Sequence, residues 1–565
     1  MTWFDWFLVV AINGVIIAFG FAKAKGTLRS LDWFLASRGL PWWIVGLSMF
    51  ATAVDSGDYV AIAGAAYKYG ITNITEWWLG MTLGWLLVAY LVFMPMYRTG
   101  MYTNAEYLEY RFGPAARALS VFIQIQYRTN VLANVAYSLY LTFSVVTGWG
   151  FATWWLVGFI ALAAAAYTAS GGLKAVAVTD AMQSVAMLAA ALVLWLTLWN
   201  VVGGWSGLEL RLDEAEKGLA QRLLHVGGYS EPGAPAGLVV VGWIIVLSAY
   251  CVVNHSQAMR MLAARSEWDM KMAAVAAGLV TAVVLWFNVT IGLLGKAIFP
   301  DLPDVDQVFP KLVNEYLGPG LLGIVVAGLL AGGISTYDSI SSALSAVFTR
   351  DLYARFLVKD RDDRHYLFVS RLVTFVVIAV SFVYVPLIQG EGMVAFYLAL
   401  TPVAVIPLFA VYLMGTLTRV NRVSGTVGLV TGMVCGLGLF AGDRLGWDLP
   451  IWLTSVWWRY LWGIALPALA MVGTSVLFGW ASREEIEGLF QTAGRGPAPP
   501  GPSPHPLPAR ATGSNWLDTT HAEVPKMPRY PFAVPAAGLP WHKKPHLWAV
   551  LLVAALAYLN LWVLW

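Results

Sequence analysis

Charge is what this chain is short of. Of its 565 residues only 12% are Asp, Glu, Lys or Arg, against 59% hydrophobic; a soluble domain carries about 25% and about 45–50%. With a mean hydropathy of +0.67, that deficit excludes a soluble multidomain enzyme, whose cores could not hide so much apolar surface. A net charge of +3 spread over the whole length excludes a nucleic-acid partner. Cysteine is scarce too. Cys251 and Cys435 lie far apart in apolar stretches, so neither a disulfide framework nor a thiolate metal cluster can be built. No positive charge precedes the apolar segment that begins at Trp3, whereas Lys23 and Lys25 follow it. It reads as a retained first span rather than a cleaved signal peptide.

What is present is apolar sequence in lengths that match a bilayer. A helix crosses the ~30 Å hydrocarbon layer with about 20 apolar residues. Fourteen stretches qualify: 3–22, 42–69, 74–97, 115–147, 151–170, 173–203, 236–259, 270–299, 319–349, 365–389, 393–416, 420–441, 456–480 and 546–564. The expected class is an all-α polytopic membrane protein. Alternate loops hold eighteen Lys and Arg on one side and seven on the other. The positive-inside rule then places both termini outside, in a plasma membrane or a bacterial inner membrane. Residues 481–545 hold thirteen of the twenty-seven prolines and are expected to form a Pro-rich cytoplasmic linker without activity of its own.

Polar residues at membrane depth mark pathways and sites. The second span contains Asp55-Ser56-Gly57-Asp58, a run poorly served by continuous helix in lipid. Unwinding there would free carbonyls, which is tolerable where they line a cavity or bind an ion. The ninth span carries Gly332-Gly333-Ile334-Ser335-Thr336-Tyr337-Asp338-Ser339. Small residues at this spacing often only let helices approach, but that does not account for Asp338. Hydroxyls and backbone carbonyls together suit a hard cation. Glu76, Arg128, Asp180 and Asn254 complete the census.

Four stretches resemble the sodium/solute symporter family, which includes the sodium–glucose, sodium–proline and sialic acid symporters. The first is Asp55-Ser56-Gly57-Asp58-Tyr59 through Gly64. The second runs from Gly171-Gly172-Leu173-Lys174 to Thr179-Asp180-Ala181-Met182-Gln183. The third is Arg260-Met261-Leu262-Ala263-Ala264-Arg265-Ser266. The fourth runs from Phe309-Pro310 through Gly328-Leu329-Leu330-Ala331 and Ser335-Thr336-Tyr337-Asp338-Ser339 to Asp351-Leu352-Tyr353. They occur in the family's order.

The resemblance implies a leucine-transporter-like fold with two inverted five-helix repeats. These are expected at 42–203 and 236–416, after a leading helix and loop (1–41) and separated by an extracellular loop (204–235). Two further helices (417–480), the linker and a last helix (546–565) follow. The resemblance also implies a sodium site made by the carbonyls of Ala51, Val54 and Gly332 and the hydroxyls of Ser335 and Thr336. Asp180, Asp338 and Ser339 match a second cation site of some members. Because Asp338 stands where a hydroxyl is usual, the group could strengthen that cation site or carry a proton instead, which leaves one-ion and two-ion coupling both open. Asp58, Glu76, Arg128 and Asn254 fall at substrate-facing positions. The implied activity is sodium-coupled import of a small polar solute by alternating access, with sodium as coupling ion, no cofactor and no catalysis. A sugar or polyol is favoured. The alternatives are a carboxylate or amino-acid substrate with the same mechanism, or a nutrient sensor with symporter-like spans that does not transport.

Overall fold

The computed structural model describes residues 1–24, 35–359, 361–483, 485, 486, 489 and 539–565. Lys25, Arg29 and most of the 481–545 linker lie outside the described residues. Thirteen helices among those described are long and apolar enough to cross a membrane. A fourteenth crossing is made in two pieces, α2 (Trp42–Ala53) and α3 (Ser56–Tyr69). The expectation for the second span was an interruption at Asp55, and the helix is interrupted there.

The other crossings begin with α1 (Trp3–Ala24), which precedes the pair. After it come α4 (Glu76–Arg98), the short α5 (Asn104–Phe112), α6 (Pro114–Thr147), α7 (Gly150–Ala169) and α8 (Gly172–Val202). Between α7 and α8, Gly172 takes φ 65°, a left-handed value that a side chain resists. The chain turns there without a loop.

The next span departs from expectation. Read as one helix over 236–259, it is two: α9 (Ala236–Val253) and α10 (His255–Leu262). Asn254 stands between them at φ −73° and ψ 109°, and its side-chain oxygen accepts from the Ser256 N–H. Asparagine is a strong helix N-cap, so the residue that ends α9 also starts α10. The remaining crossings are α11 (Glu267–Ile298), α12 (Leu321–Leu357), α13 (Arg364–Gln389), α14 (Met393–Leu417), α15 (Ser424–Arg444), α16 (Val456–Phe478) and α17 (Pro545–Val563).

Helix α12 is the axis of the protein, and every residue from Ala327 to Val347 is buried. Glycines let neighbours close on it. A Cβ at Gly328 would lie 2.6 Å from the Ala186 carbonyl of α8, and one at Gly323 would lie 2.7 Å from Asp5 Cα of α1. Several arginines counted among the loop charges are buried instead. Arg111 donates to the carbonyls of Gly415, Thr418 and Val420, which end α14. Arg117 pairs with both Glu109 and Asp351, and Arg355 also reaches Glu109 at 2.6 Å. Burial pushes the Glu109 carboxyl up, but the two guanidiniums outweigh it and hold the group below the usual carboxylate range. These cations cap helix ends and bind α5, α6 and α12 together.

Candidate functional site

The break between α2 and α3 follows from its two aspartates. The Asp55 N–H donates to Asp58 Oδ2 at 2.9 Å, and the Asp58 N–H donates to Asp55 Oδ1 at 3.1 Å. This is a reciprocal capping box with aspartate in both places. In continuous helix those two N–H groups would bond the carbonyls four residues back, those of Ala51 and Val54. The carboxylates take both donors away, and the chain at Val54 is extended (φ −113°, ψ 121°). Gly57 leaves room for the cap, since a Cβ there would sit 2.8 Å from Asp55 Oδ1.

The freed end of α2 faces α12. Ser335 Oγ lies 2.9 Å from the Ala51 carbonyl, within hydrogen-bond reach of it. A Cβ at Gly332 would lie 3.4 Å from the Asp55 backbone, so the two chains nearly touch. Thr336 Oγ1 is buried beside the Asp55 carboxylate without a well-formed hydrogen bond. All five expected sodium ligands thus come from two facing segments. Two displaced carbonyls and a buried orphan hydroxyl among them are what a hard cation requires. The residues fit the ion.

On one side of the two breaks lies a cavity of about 80 Å³, room for several waters. It is lined by Asp55, Gly57 and Asp58, by Asn73 in the short turn before α4, by Glu76 and Trp77 of α4, by Trp243, Leu247 and Tyr250 of α9, and by Met393 and Tyr397 of α14. Glu76 is held by Asn73 Nδ2 at 3.0 Å. Asp58 and Glu76 are therefore brought together, two carboxylates among aromatic rings.

Arg128 and Asn254 are not among the lining residues. Arg128 is 2% exposed, its guanidinium 5.1 Å from the centre of the Tyr250 ring, and none of its nitrogens has a hydrogen bond. It stands behind the cavity wall. Asn254 spends its oxygen capping α10, accepting from Ser256 N–H and Oγ–H.

On the other side of the breaks, α2 and α10 meet α8 and α12 in a second polar cluster. Ser48 Oγ donates to Asp180 Oδ2 at 2.5 Å, and Ser335 Oγ lies 2.6 Å from Asp180 Oδ1. Arg260 reaches Asp180 at 2.8 Å and also donates to Ser339. Asp180 and Ser339 come together here. Asp338 is not hydrogen-bonded to them; its Oδ1 accepts from Thr168 Oγ1 at 2.6 Å and its Oδ2 is buried without a partner.

Asn73, Trp77, Tyr250 and Arg260 are site residues that sequence reasoning did not single out for a role, and Asp55 was read only as part of the interruption, not as a cap. Asp55 had a visible signal, the aspartate three residues on. Arg260 had one as well, being a charge in an apolar stretch, but it was read as loop charge.

Two interrupted helices at a central cavity with buried carboxylates are a feature of membrane transporters, and likeness to solved transporter structures makes the fold leucine-transporter-like. The model of the Sodium:solute symporter family matches residues 33–436, and the chain belongs to that family. Among curated relatives, human Sodium/glucose cotransporter 4 is 29% identical over 479 residues, covering 75% of this chain and 68% of the relative. Sodium/myo-inositol cotransporter 2 of Bos taurus is 30% identical over 469 residues, covering 75% and 67%. Among solved structures, a Na⁺-coupled sialic acid symporter in its substrate-bound outward-open state matches with a TM-score of 0.72 at 19% identity, over 85% of this chain and 99% of the other. A transporter of the nucleobase-cation-symport-1 family matches at 0.51 and 12%, over 81% and 97%. These structures share the fold. The family read from the four sequence stretches is the family found, and the chain is a transporter and not an enzyme.

Proposed function

We propose that this protein couples the inward passage of sodium to uptake of a sugar or polyol. The observation that carries the reading is the capping box, which takes from the Ala51 and Val54 carbonyls the N–H donors they would have in continuous helix, with the Ala51 carbonyl facing Ser335. Sodium bound there would tie α2 to α12 and hold shut the side where Asp180 and Arg260 lie. Its loss to the cytoplasm would release that tie and let solute leave inward.

The energy is sufficient. One sodium ion crossing ~100 mV yields roughly 2.3 kcal/mol, and a tenfold concentration gradient adds about 1.4 kcal/mol. Together these sustain accumulation of several hundred-fold. In this reading both termini lie outside, the cavity is on the outer side of the breaks, and the repeats span 42–203 and 236–416.

Three supports favour a sugar or polyol. Asp58 and Glu76 offer carboxylate acceptors to several hydroxyls, Trp77 and Tyr250 offer ring faces, and the curated relatives are named for glucose and myo-inositol. One observation favours a carboxylate-bearing solute instead, the Arg128 guanidinium that is buried without a hydrogen bond. Uptake of labelled glucose, myo-inositol, proline and sialic acid into proteoliposomes, under inward sodium or potassium gradients, separates the readings. Accumulation of glucose or myo-inositol under sodium alone is expected. Accumulation of only the two acids moves the assignment to the carboxylate class, and uptake indifferent to the cation defeats sodium coupling.

A further inference from the structure

The oxygens that would make a second cation site already serve a cation of the protein itself. Asp180 Oδ2 and Ser339 Oγ both accept from Arg260 Nη2. The guanidinium cannot drift away. Its Nε donates to Ser48 Oγ at 2.7 Å, and its Nη1 donates to the Ser256 carbonyl at 2.8 Å. Arg260, Asp180, Ser48 and Ser339 are each 0% exposed. Asp338 makes no hydrogen bond to this cluster: its Oδ1 accepts from Thr168, and its Oδ2 is buried without a partner. The residues therefore do not fit a second alkali ion.

We propose that the Arg260 guanidinium is a tethered cation standing in for a second sodium, so that each transport cycle binds one sodium ion. A mobile ion would have to take Asp180 Oδ2 from a fixed positive charge at contact distance, in a buried setting where like charges are screened least. Arg260 also acts on the first site through Asp180. The hydroxyl of Ser335 lies within reach of Asp180 Oδ1 and of the Ala51 carbonyl (2.6 and 2.9 Å). It has one proton to give. Donated to Asp180, that proton leaves the Ser335 lone pairs facing the Ala51 side, where the coupling ion is placed. Arg260 is thus a positioning residue that keeps the second acceptor oxygen of Asp180 occupied and the first free to orient Ser335.

The inference rests on the sodium site of the proposed function, and ion counting separates the two. Equilibrium binding of radioactive sodium to the purified full chain is expected to saturate at one ion per chain, with a Hill coefficient near one. Saturation at two overturns the single-ion inference while leaving the sodium site standing. No saturable binding overturns both. The variant Arg260→Gln keeps hydrogen-bond donors but removes the charge, and it is expected to gain a second, weaker sodium ion. A folded Arg260→Gln protein that still binds one ion shows that the guanidinium is not what excludes the second, and the inference falls. Should that variant not fold, the wild-type count decides alone.

Discussion

The two interrupted crossings are built from the same device and do different work. At the α2–α3 break two carboxylates cap each other's backbone, so two N–H groups are withdrawn from the ladder and two carbonyls are released. At the α9–α10 break a single amide, Asn254, starts the new helix by accepting from Ser256. The first break carries two acidic side chains between the cavity and α12. The second carries none at the break itself, and its charge comes two turns later, as Arg260 paired with Asp180. One break therefore suits a mobile cation, while the other anchors a tethered one. Under the proposed mechanism, the polarity of a cap decides whether a broken helix binds an ion or merely turns.

The comparison breaks most visibly at the hydroxyls opposite the first cap. Ser335→Ala combined with Thr336→Ala removes two side-chain ligands, each worth about 1.5–3 kcal/mol toward a charge. Sodium affinity should fall by roughly a hundredfold or more, with loss of sodium-driven uptake in proteoliposomes. Unchanged affinity would detach α12 from the ion.

Next in size is a pH effect on the arm beyond the first break. Asp306 packs against Gly64 of α3 and accepts from the Met393 N–H that starts α14. Burial, opposed by the Met393 hydrogen bond and reinforced by Asp304, raises its carboxyl from 3.8 to about 6. The folded protein thus holds this proton more tightly than the unfolded chain does. The contribution is full at low pH and is lost as pH rises through about 6, by up to roughly 3 kcal/mol. Thermal unfolding of Asp306→Asn followed against pH should lack that fall, whereas an identical profile would remove Asp306 from the account.

Smaller effects separate the two roles of the aspartate pair. Asp55→Ala deletes one half of the cap and should weaken sodium binding about fivefold, in line with ~1 kcal/mol for a lost N-cap. Asp58→Asn keeps an oxygen for the Asp55 N–H, so sodium affinity should stay within about twofold. Solute affinity should drop about tenfold, as expected for one lost charged hydrogen bond. Binding isotherms for both ligands check this, and a reversed pattern would exchange the roles. At the second break, Asn254→Ala should cost about 1 kcal/mol of stability with sodium affinity unmoved. The smallest change is expected at Gly332→Ala. Its Cβ would meet Met187 Cε at 3.3 Å and Asp55 at 3.4 Å, so the flexible methionine yields and the carbonyl is kept. A large loss of sodium affinity would show the site to be tighter than the geometry allows.

Much of this was legible before any coordinates. Fourteen crossings follow from apolar length alone, and the first break follows from two carboxylates at a depth where lipid tolerates neither. The second break was not legible, because Asn254 and His255 in an apolar run look like an ordinary helix end. Only the backbone shows that the helix resumes. Arg260 was misplaced for a related reason. A charge near a span's end counts as loop charge in the positive-inside rule, and nothing local shows that Ser48, Asp180 and Ser339 converge on it from three other helices. Arg128 and Asp58 sit at family positions, but lining a cavity depends on neighbours such as Tyr250, which no spacing rule supplies. The capping box itself was written in the sequence as Asp55 and Asp58. Its consequence for Ala51 and Val54 needed the backbone.

The most direct test is an experimental density map of the purified protein in sodium, compared with one in a sodium-free buffer. The account predicts a density in sodium alone, coordinated by the carbonyls of Ala51, Val54 and Gly332 and the hydroxyls of Ser335 and Thr336. A sodium-dependent density elsewhere, with those five oxygens left unliganded, would contradict it.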